Sequence, residues 1–379
     1  METRISKLQK NINNSEIEAD IKKTSIPLFL IKRILSGILS LVIITFLINS
    51  ITFLSPPRER ALLIFGSPPM YLSETEVETS LTQIIEDYGF DKPLFEQYKI
   101  WVVGVFSGNL GLGNIFGEEV IVIIKSRIPI TLELLIYSIL FYIPIGILFG
   151  AISGWRENKP IDIISRFTSY VSFSIPPFIL SIIFISIFYV TLGWFMPGRI
   201  GISEGMLIRE ETFVHYTRFL SIDGFLNNKP EVSIDAIRRL VMPAVALSFS
   251  FLGTLLLVTR KSMIAEIKKD YITSAYARGL TNTKVLFNHA LKNAILPSIT
   301  ASSLMITSML TELYIIERVF NRHGLSELMF MSMIPPVNIG VALGFALYNF
   351  LFVYLVMFIF DILTILISPN FSLINGESK

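Results

Sequence analysis

Few side chains here have the chemistry of a reaction centre. None of the 379 residues is cysteine, which removes thiolate nucleophiles, disulfides and cysteine-ligated zinc. The three histidines, His215, His289 and His323, never share His-x-x-x-His spacing, so they do not read as a metal site. Met305, Met309, Met329, Met331 and Met333 carry soft thioethers, but filling irregular gaps between helices is the expected role. No Gly-x-x-x-x-Gly-Lys-Ser/Thr loop is present, so the chain is not expected to hydrolyse ATP. Two carboxylates, Glu133 and Glu312, stand in or beside apolar runs, where an ionisable group can relay an ion or line a pathway. Glu312 is the candidate for a substrate pathway; the competing account is a carboxylate paired with Arg318 or a backbone donor. An aspartyl protease would need two aspartates within spans, and Asp361 has no obvious second.

The most elaborate polar stretch is Asp270 to Thr300, DYITSAYARGLTNTKVLFNHALKNAILPSIT. Met263, Ile267, Tyr271 and Ala275 recur every four residues and make one apolar face. Gly279 lets the backbone leave the helix with positive φ at little steric cost. Thr281 or Asn282 can cap a second helix carrying Val285, Leu286, His289 and Leu291, which runs to Pro297. The spacing predicts two short helices meeting at a tight turn, a rigid knob for another protein's groove. An ordinary helical connection is the alternative.

The elements around it are set by composition. A soluble domain averages about 25% charged residues; this chain has 16%, is 52% hydrophobic and carries a net charge of +2. Lipid is therefore the expected solvent, and nucleic acid is not an expected partner. A span needs roughly 20 apolar residues, and six runs qualify: Ile34–Leu54, Leu134–Trp155, Phe167–Gly198 (interrupted by Pro176 and Pro177), Leu240–Thr259, Ala294–Ile316 and Ile334–Phe360. Lys32 and Arg33 precede the first run, but it exceeds the ~7–15 residues of a signal peptide and lacks its cleavage site. Basic residues concentrate before the first span, between the second and third, and between the fourth and fifth. By the positive-inside rule these segments and both termini are expected in the cytoplasm. The chain thus divides into a cytoplasmic extension over 1–30, a transmembrane domain over 31–370 and a tail over 371–379.

Two outer segments stand apart. Over about 56–130, Ser73-Glu74-Thr75-Glu76 fits a capping box, with Val77, Leu81, Ile84, Ile85 and Tyr88 at helical spacing and Gly89 as a stop. A second amphipathic helix is expected after Asp91, with Leu94, Tyr98, Trp101 and Val105 on one face. Pro197 to Arg239 is polar without a clear period. Pro176-Pro177 and Pro335-Pro336 can kink helices, though prolines in spans are often simply tolerated, and that is the expectation here.

The Asp270–Thr300 stretch resembles the coupling loop, or EAA motif, of ABC-transporter permeases. Thr273-Ser274-Ala275 stands where that family has a Glu-Ala-Ala-like triplet, followed by Gly279 and Leu296-Pro297. DYITSAYARGL and HALKNAILP are similar to the dipeptide and oligopeptide branch, including its long glycine-to-proline spacing. GFDKPLFEQYKIWVVGVFSGNLG, RIPITLELL, SIPPF and ERVFNRHGLSELM resemble further elements of the family in its order. The resemblance covers most of residues 30–370.

The resemblance implies an all-α integral membrane protein of the type I ABC importer permease fold: six transmembrane helices, a helical extracellular loop region and a cytoplasmic coupling-helix loop at about 260–293. A second homologous permease subunit, two cytoplasmic ABC ATPase subunits and an extracellular or periplasmic solute-binding protein would be its partners in the cell membrane. ATP and Mg would bind in the ATPase subunits, and no cofactor in this chain. Tyr271, Thr273, Ser274, Ala275, Arg278, Gly279, Leu280, His289 and Pro297 would make the ATPase-coupling loop, with small Ser274, Ala275 and Gly279 allowing close approach to a groove. Peptides are the implied substrate; nickel or oligosaccharide in the same family, or an ion-coupled secondary transporter, are the alternatives.

Overall fold

The computed structural model describes residues 26–66, 71–110, 112–113, 118–333 and 339–367. The N-terminal extension up to Ser25, Pro335-Pro336 and the C-terminal tail lie outside them. Among the described residues, five helices are long and apolar enough to cross a membrane, and a bent pair makes a sixth crossing.

Helix α1, Ile26–Phe53, contains the first apolar stretch, Leu30–Ser50. The chain divides into two units after Ile51. The larger unit begins with three helices outside the apolar runs. These are α2 (Pro57–Phe65), α3 (Glu74–Tyr88) and α4 (Leu94–Phe106). The capping box forms as the sequence predicts: the Ser73 amide donates to Glu76 Oε2 at 2.8 Å, and the Glu76 amide donates to Ser73 Oγ. Gly89 ends α3 with φ 65°. Buried Arg60 of α2, a helix not anticipated, donates to Gln97 Oε1 of α4 at 2.6 Å and to the Phe90 carbonyl at 2.9 Å. A two-stranded antiparallel ribbon, β1 (Leu112–Gly113) with β2 (Glu118–Glu119), then leads into α5.

Helix α5, Val120–Trp155, starts well before the expected Leu134, so the loop expected to reach residue 130 gives way to helix at Val120. Arg127 to Leu135 is its first part, with Pro129 inside it. The third crossing is not one rod. Helices α6 (Pro160–Ser174) and α7 (Pro177–Phe184, continued by a π-helical turn over Ile185–Thr191) meet at 97°. Pro176 and Pro177 are therefore not tolerated within a straight span, contrary to the expectation. Neither has an N–H, and Ile175 is pushed into an extended conformation by the proline that follows it. The region expected to be aperiodic holds α8 (Ile202–Ile208) and α9 (Leu220–Leu226), and α10 (Pro230–Ile267) begins ten residues before the expected Leu240.

Helix α10 is the hub of this unit, packed against α5, α6, α9 and α12, the last spanning Asn282–Val319. The α5–α10 seam runs along Gly146, Gly150 and Gly154, one small residue every turn. A Cβ on Gly150 would lie 2.6 Å from Thr259 Cβ and 2.8 Å from the Leu256 carbonyl oxygen. Met305 and Met309 sit in the apolar core with Met329 packed against it, as expected of gap-fillers; the side chains of Met331 and Met333 lie outside the described residues. Helices α11 (Asp270–Ala277), α13 (Leu325–Met333) and α14 (Ile339–Ile367) complete the fold.

Candidate coupling site

Helix α11 is eight residues long and stands between α10 and α12. Its far side, Thr273, Ser274, Tyr276 and Ala277, is exposed, as are Arg278 and Gly279 at its end. Its near side buries Ile272 and Ala275 against Met263, Val285, Leu286, Ala290 and Ala294, with Ile267, Tyr271, Leu280 and Trp155 around them. The four-residue apolar spacing is the cause: one stripe faces the bundle and the polar remainder faces away. Ala275 is 0% exposed. The expectation that Ala275 approaches a groove is overturned, since its methyl already fills this small core.

Gly279 closes the helix with φ +76°; its amide donates to the Tyr276 carbonyl at 2.8 Å, and the Leu280 amide donates to the Ala275 carbonyl at 3.3 Å. That is the Schellman arrangement, with Leu280 returning to the apolar cluster. The second short helix does not exist as such. Asn282–Val319 is one continuous 38-residue element that passes through a π-helical turn at Val285–Ala290. Half-buried His289 lies in that turn and exposed Pro297 lies further along, so Pro297 does not divide a knob from a span. Thr281 occupies the cap position without a side-chain cap bond.

The Tyr271 phenol donates to Glu266 Oε1 at 2.7 Å and accepts from Asn293 Nδ2 at 3.1 Å. Burial and the Glu266 carboxylate push the phenol up to about 12, so it remains a donor at neutral pH. Lys269 Nζ pairs with the same glutamate at 2.7 Å. Glu266 and Asn293 were not recognisable as partners in the sequence, because each lies on a different helix from Tyr271. Asp162, equally unforeseen, is 0% exposed at the same end of α10. It accepts from Ser153 Oγ at 2.7 Å, from the Asn158 amide at 2.9 Å and from Arg260 Nη2 at 2.8 Å. An acid set among Arg156, Lys159 and Arg166 in a basic connection was the available signal.

The opposite end of α10 holds a second polar cluster. Glu133, fully buried, accepts from the Ser221 amide at 2.9 Å and lies 3.5 Å from Arg322 and 4.0 Å from Arg199. Glu317 accepts from Thr131 Oγ1 at 2.6 Å and from the Ser326 amide at 3.0 Å. Burial lowers the Arg322 guanidinium to about 10, with Glu133 opposing the shift. Glu133 is thus tied into this cluster. Glu312 is different: half-buried, it makes no hydrogen bond or ion pair among the described residues. The expected pairing with Arg318 does not form; Arg318 stands 5.7 Å above the Phe330 ring instead.

Long apolar helices, with one hub helix in the larger unit and a short half-exposed helix held out at one end of it, define a multi-pass membrane protein of the type I ABC importer permease fold. The family described as binding-protein-dependent transport system inner membrane component matches residues 146–372, and its N-terminal component matches residues 27–135. This chain belongs to that family. It is 30% identical over 315 residues to the di/tripeptide transport system permease protein DppB of Pseudomonas aeruginosa (strain UCBPP-PA14), covering 81% of this chain and 90% of that protein. It is 32% identical over 265 residues to the oligopeptide transport system permease protein AppB of Bacillus subtilis (strain 168), covering 69% and 76%. The dipeptide transport system permease protein DppB of Lactococcus lactis subsp. cremoris (strain MG1363) is 27% identical over 344 residues, 90% of this chain and 99% of that one.

Proposed function

We propose that this chain is a non-catalytic permease subunit of an ATP-driven importer and forms, with a second, related permease, the membrane pathway for peptides. Two separate ATPase subunits, holding ATP and Mg, dock on the exposed side of α11. A binding protein outside the cell delivers substrate, and no cofactor is needed in this chain. The α11 end and both chain termini face the cytoplasm. The carrying observation is the split character of α11: one side welded to the bundle by Ile272 and Ala275, the other presenting Thr273, Ser274, Tyr276, Arg278 and Gly279. A helix so mounted can receive a push and pass it on, because packed elements shift between discrete arrangements and do not deform continuously. The relatives' names, which specify dipeptides, di/tripeptides and oligopeptides, support peptide as cargo.

The test uses the tip. A Cβ on Gly279 meets nothing within 4 Å, but its φ of +76° penalises any branched residue. Gly279→Val is expected to insert normally and to lose most ATP-driven peptide uptake in proteoliposomes containing all subunits. Normal uptake in fully assembled complexes would remove α11 from the coupling path. Glu312, without a hydrogen bond or ion pair among the described residues, is placed by this reading on the substrate pathway. Glu312→Gln is expected to lower uptake while ATPase activity persists; unchanged transport would end that assignment.

A further inference from the structure

We propose that Tyr271 is a positioning residue: through Glu266 and Asn293 its phenol fixes the rotation of α11 against both neighbouring spans. The proposal rests on the coupling reading above and specifies what makes the coupler stiff. The apolar cluster beneath α11 is attractive but without direction. Ile272 and Ala275 could roll over Val285 and Ala290 at little cost. On either side the backbone offers pivots, the Lys268–Lys269 link before the helix and the Arg278–Thr281 turn after it. The apolar contacts, few and without direction, oppose a twist about those pivots only weakly.

Hydrogen bonds do oppose it, since they weaken steeply when bent. Among the described residues, the phenol is the one point where α11 is held by directional bonds to two different spans at once. It donates at 2.7 Å to Glu266, in the last turn of α10, and accepts at 3.1 Å from Asn293, in α12. Glu266 is itself only 6% exposed, so its carboxylate is not free to follow a moving partner. The consequence is mechanical. A displacement applied to Thr273–Gly279 reaches α10 and α12 together, and without the phenol part of it is lost as rotation of α11.

The experiment is the stoichiometry of ATP hydrolysed per peptide imported, measured with the complete complex in proteoliposomes. Tyr271→Phe keeps the ring and deletes the hydroxyl. It is expected to raise the ratio roughly two- to tenfold, the scale set by one net hydrogen bond. Glu266→Leu should repeat the rise and Glu266→Gln, which still accepts from the phenol, should reverse it; these also carry the test if Tyr271→Phe does not assemble. Because the chain has no cysteine, Arg278→Cys gives a single thiol at the tip for cross-linking to the ATPase. An unchanged ratio in Tyr271→Phe with the cross-link intact overturns the positioning role and leaves the coupling reading standing. No cross-link with Tyr271 in place removes both.

Discussion

The two ends of α10 hold α9 and α11 by opposite means. At the Pro230 end, ionisable side chains are buried: Glu133, Glu317 and Arg322 are all 0–2% exposed, and they bind the start of α5, the end of α12 and α9 into one cluster. At the Ile267 end, a small apolar core and a phenol carry α11, whose other side is open. Buried ion pairs are costly to break because the partner left behind cannot find water. A half-exposed helix on a slender core gives way at far lower cost. The contrast fits one end that keeps its shape and one built to move against a partner.

That comparison is broken most directly at Glu133. Glu133→Gln retains an acceptor for the Ser221 amide but removes the carboxylate nearest to Arg322. Loss of one member of a buried pair costs about 3–5 kcal/mol, so the variant should melt markedly earlier in detergent. Adding Arg322→Gln should recover part of that loss, because the fully buried guanidinium is then no longer left without its carboxylate. A double variant no better than the single one would show that the pair does not act as a pair.

Next in size is the seam joining the two ends. Gly150→Val forces a side chain into the Thr259 and Leu256 backbone region, where even a Cβ would be 2.6–2.8 Å from its neighbours. Overpacking typically costs about 1–3 kcal/mol, and here the backbone itself must separate. The expected result is a lower melting temperature together with impaired uptake, since α5 could no longer follow α10. Wild-type melting would mean that the close approach contributes nothing.

Much of this was legible from local pattern. The apolar runs gave the crossings, and Ser73 with Glu76 gave a cap that forms as written. The spacing of Met263, Ile267, Tyr271 and Ala275 gave the side on which α11 is buried. What escaped were matters of continuation and long-range pairing. Helix α12 runs through the polar HALKN stretch because Val285, Leu286 and Ala290 bury one stripe of it, which a reading by average polarity cannot register. The family resemblance implied that Ala275 is small for a partner's sake, when it is small for its own core. Thr131, Glu133, Glu317 and Arg322 meet across nearly two hundred residues of sequence, and no spacing rule connects them.

The smallest expected effect separates two arginines in one short helix. Arg58 and Arg60 both lie in α2. Arg58 pairs with Glu78 in the open, both side chains more than half exposed, and water replaces such a contact almost without loss. Arg60 is 3% exposed and its two terminal nitrogens serve Gln97 and the Phe90 carbonyl, with the guanidinium 4.7 Å over the Phe90 ring. Arg58→Ala should leave the melting temperature unchanged. Arg60→Ala strands the buried amide oxygen of Gln97, while the Phe90 carbonyl keeps its bond from Gln97 Nε2; this costs about 1–3 kcal/mol and should loosen α4 as seen by faster proteolysis between Gly89 and Phe106. Equal behaviour of the two variants would mean that this helical segment is held by its apolar contacts alone.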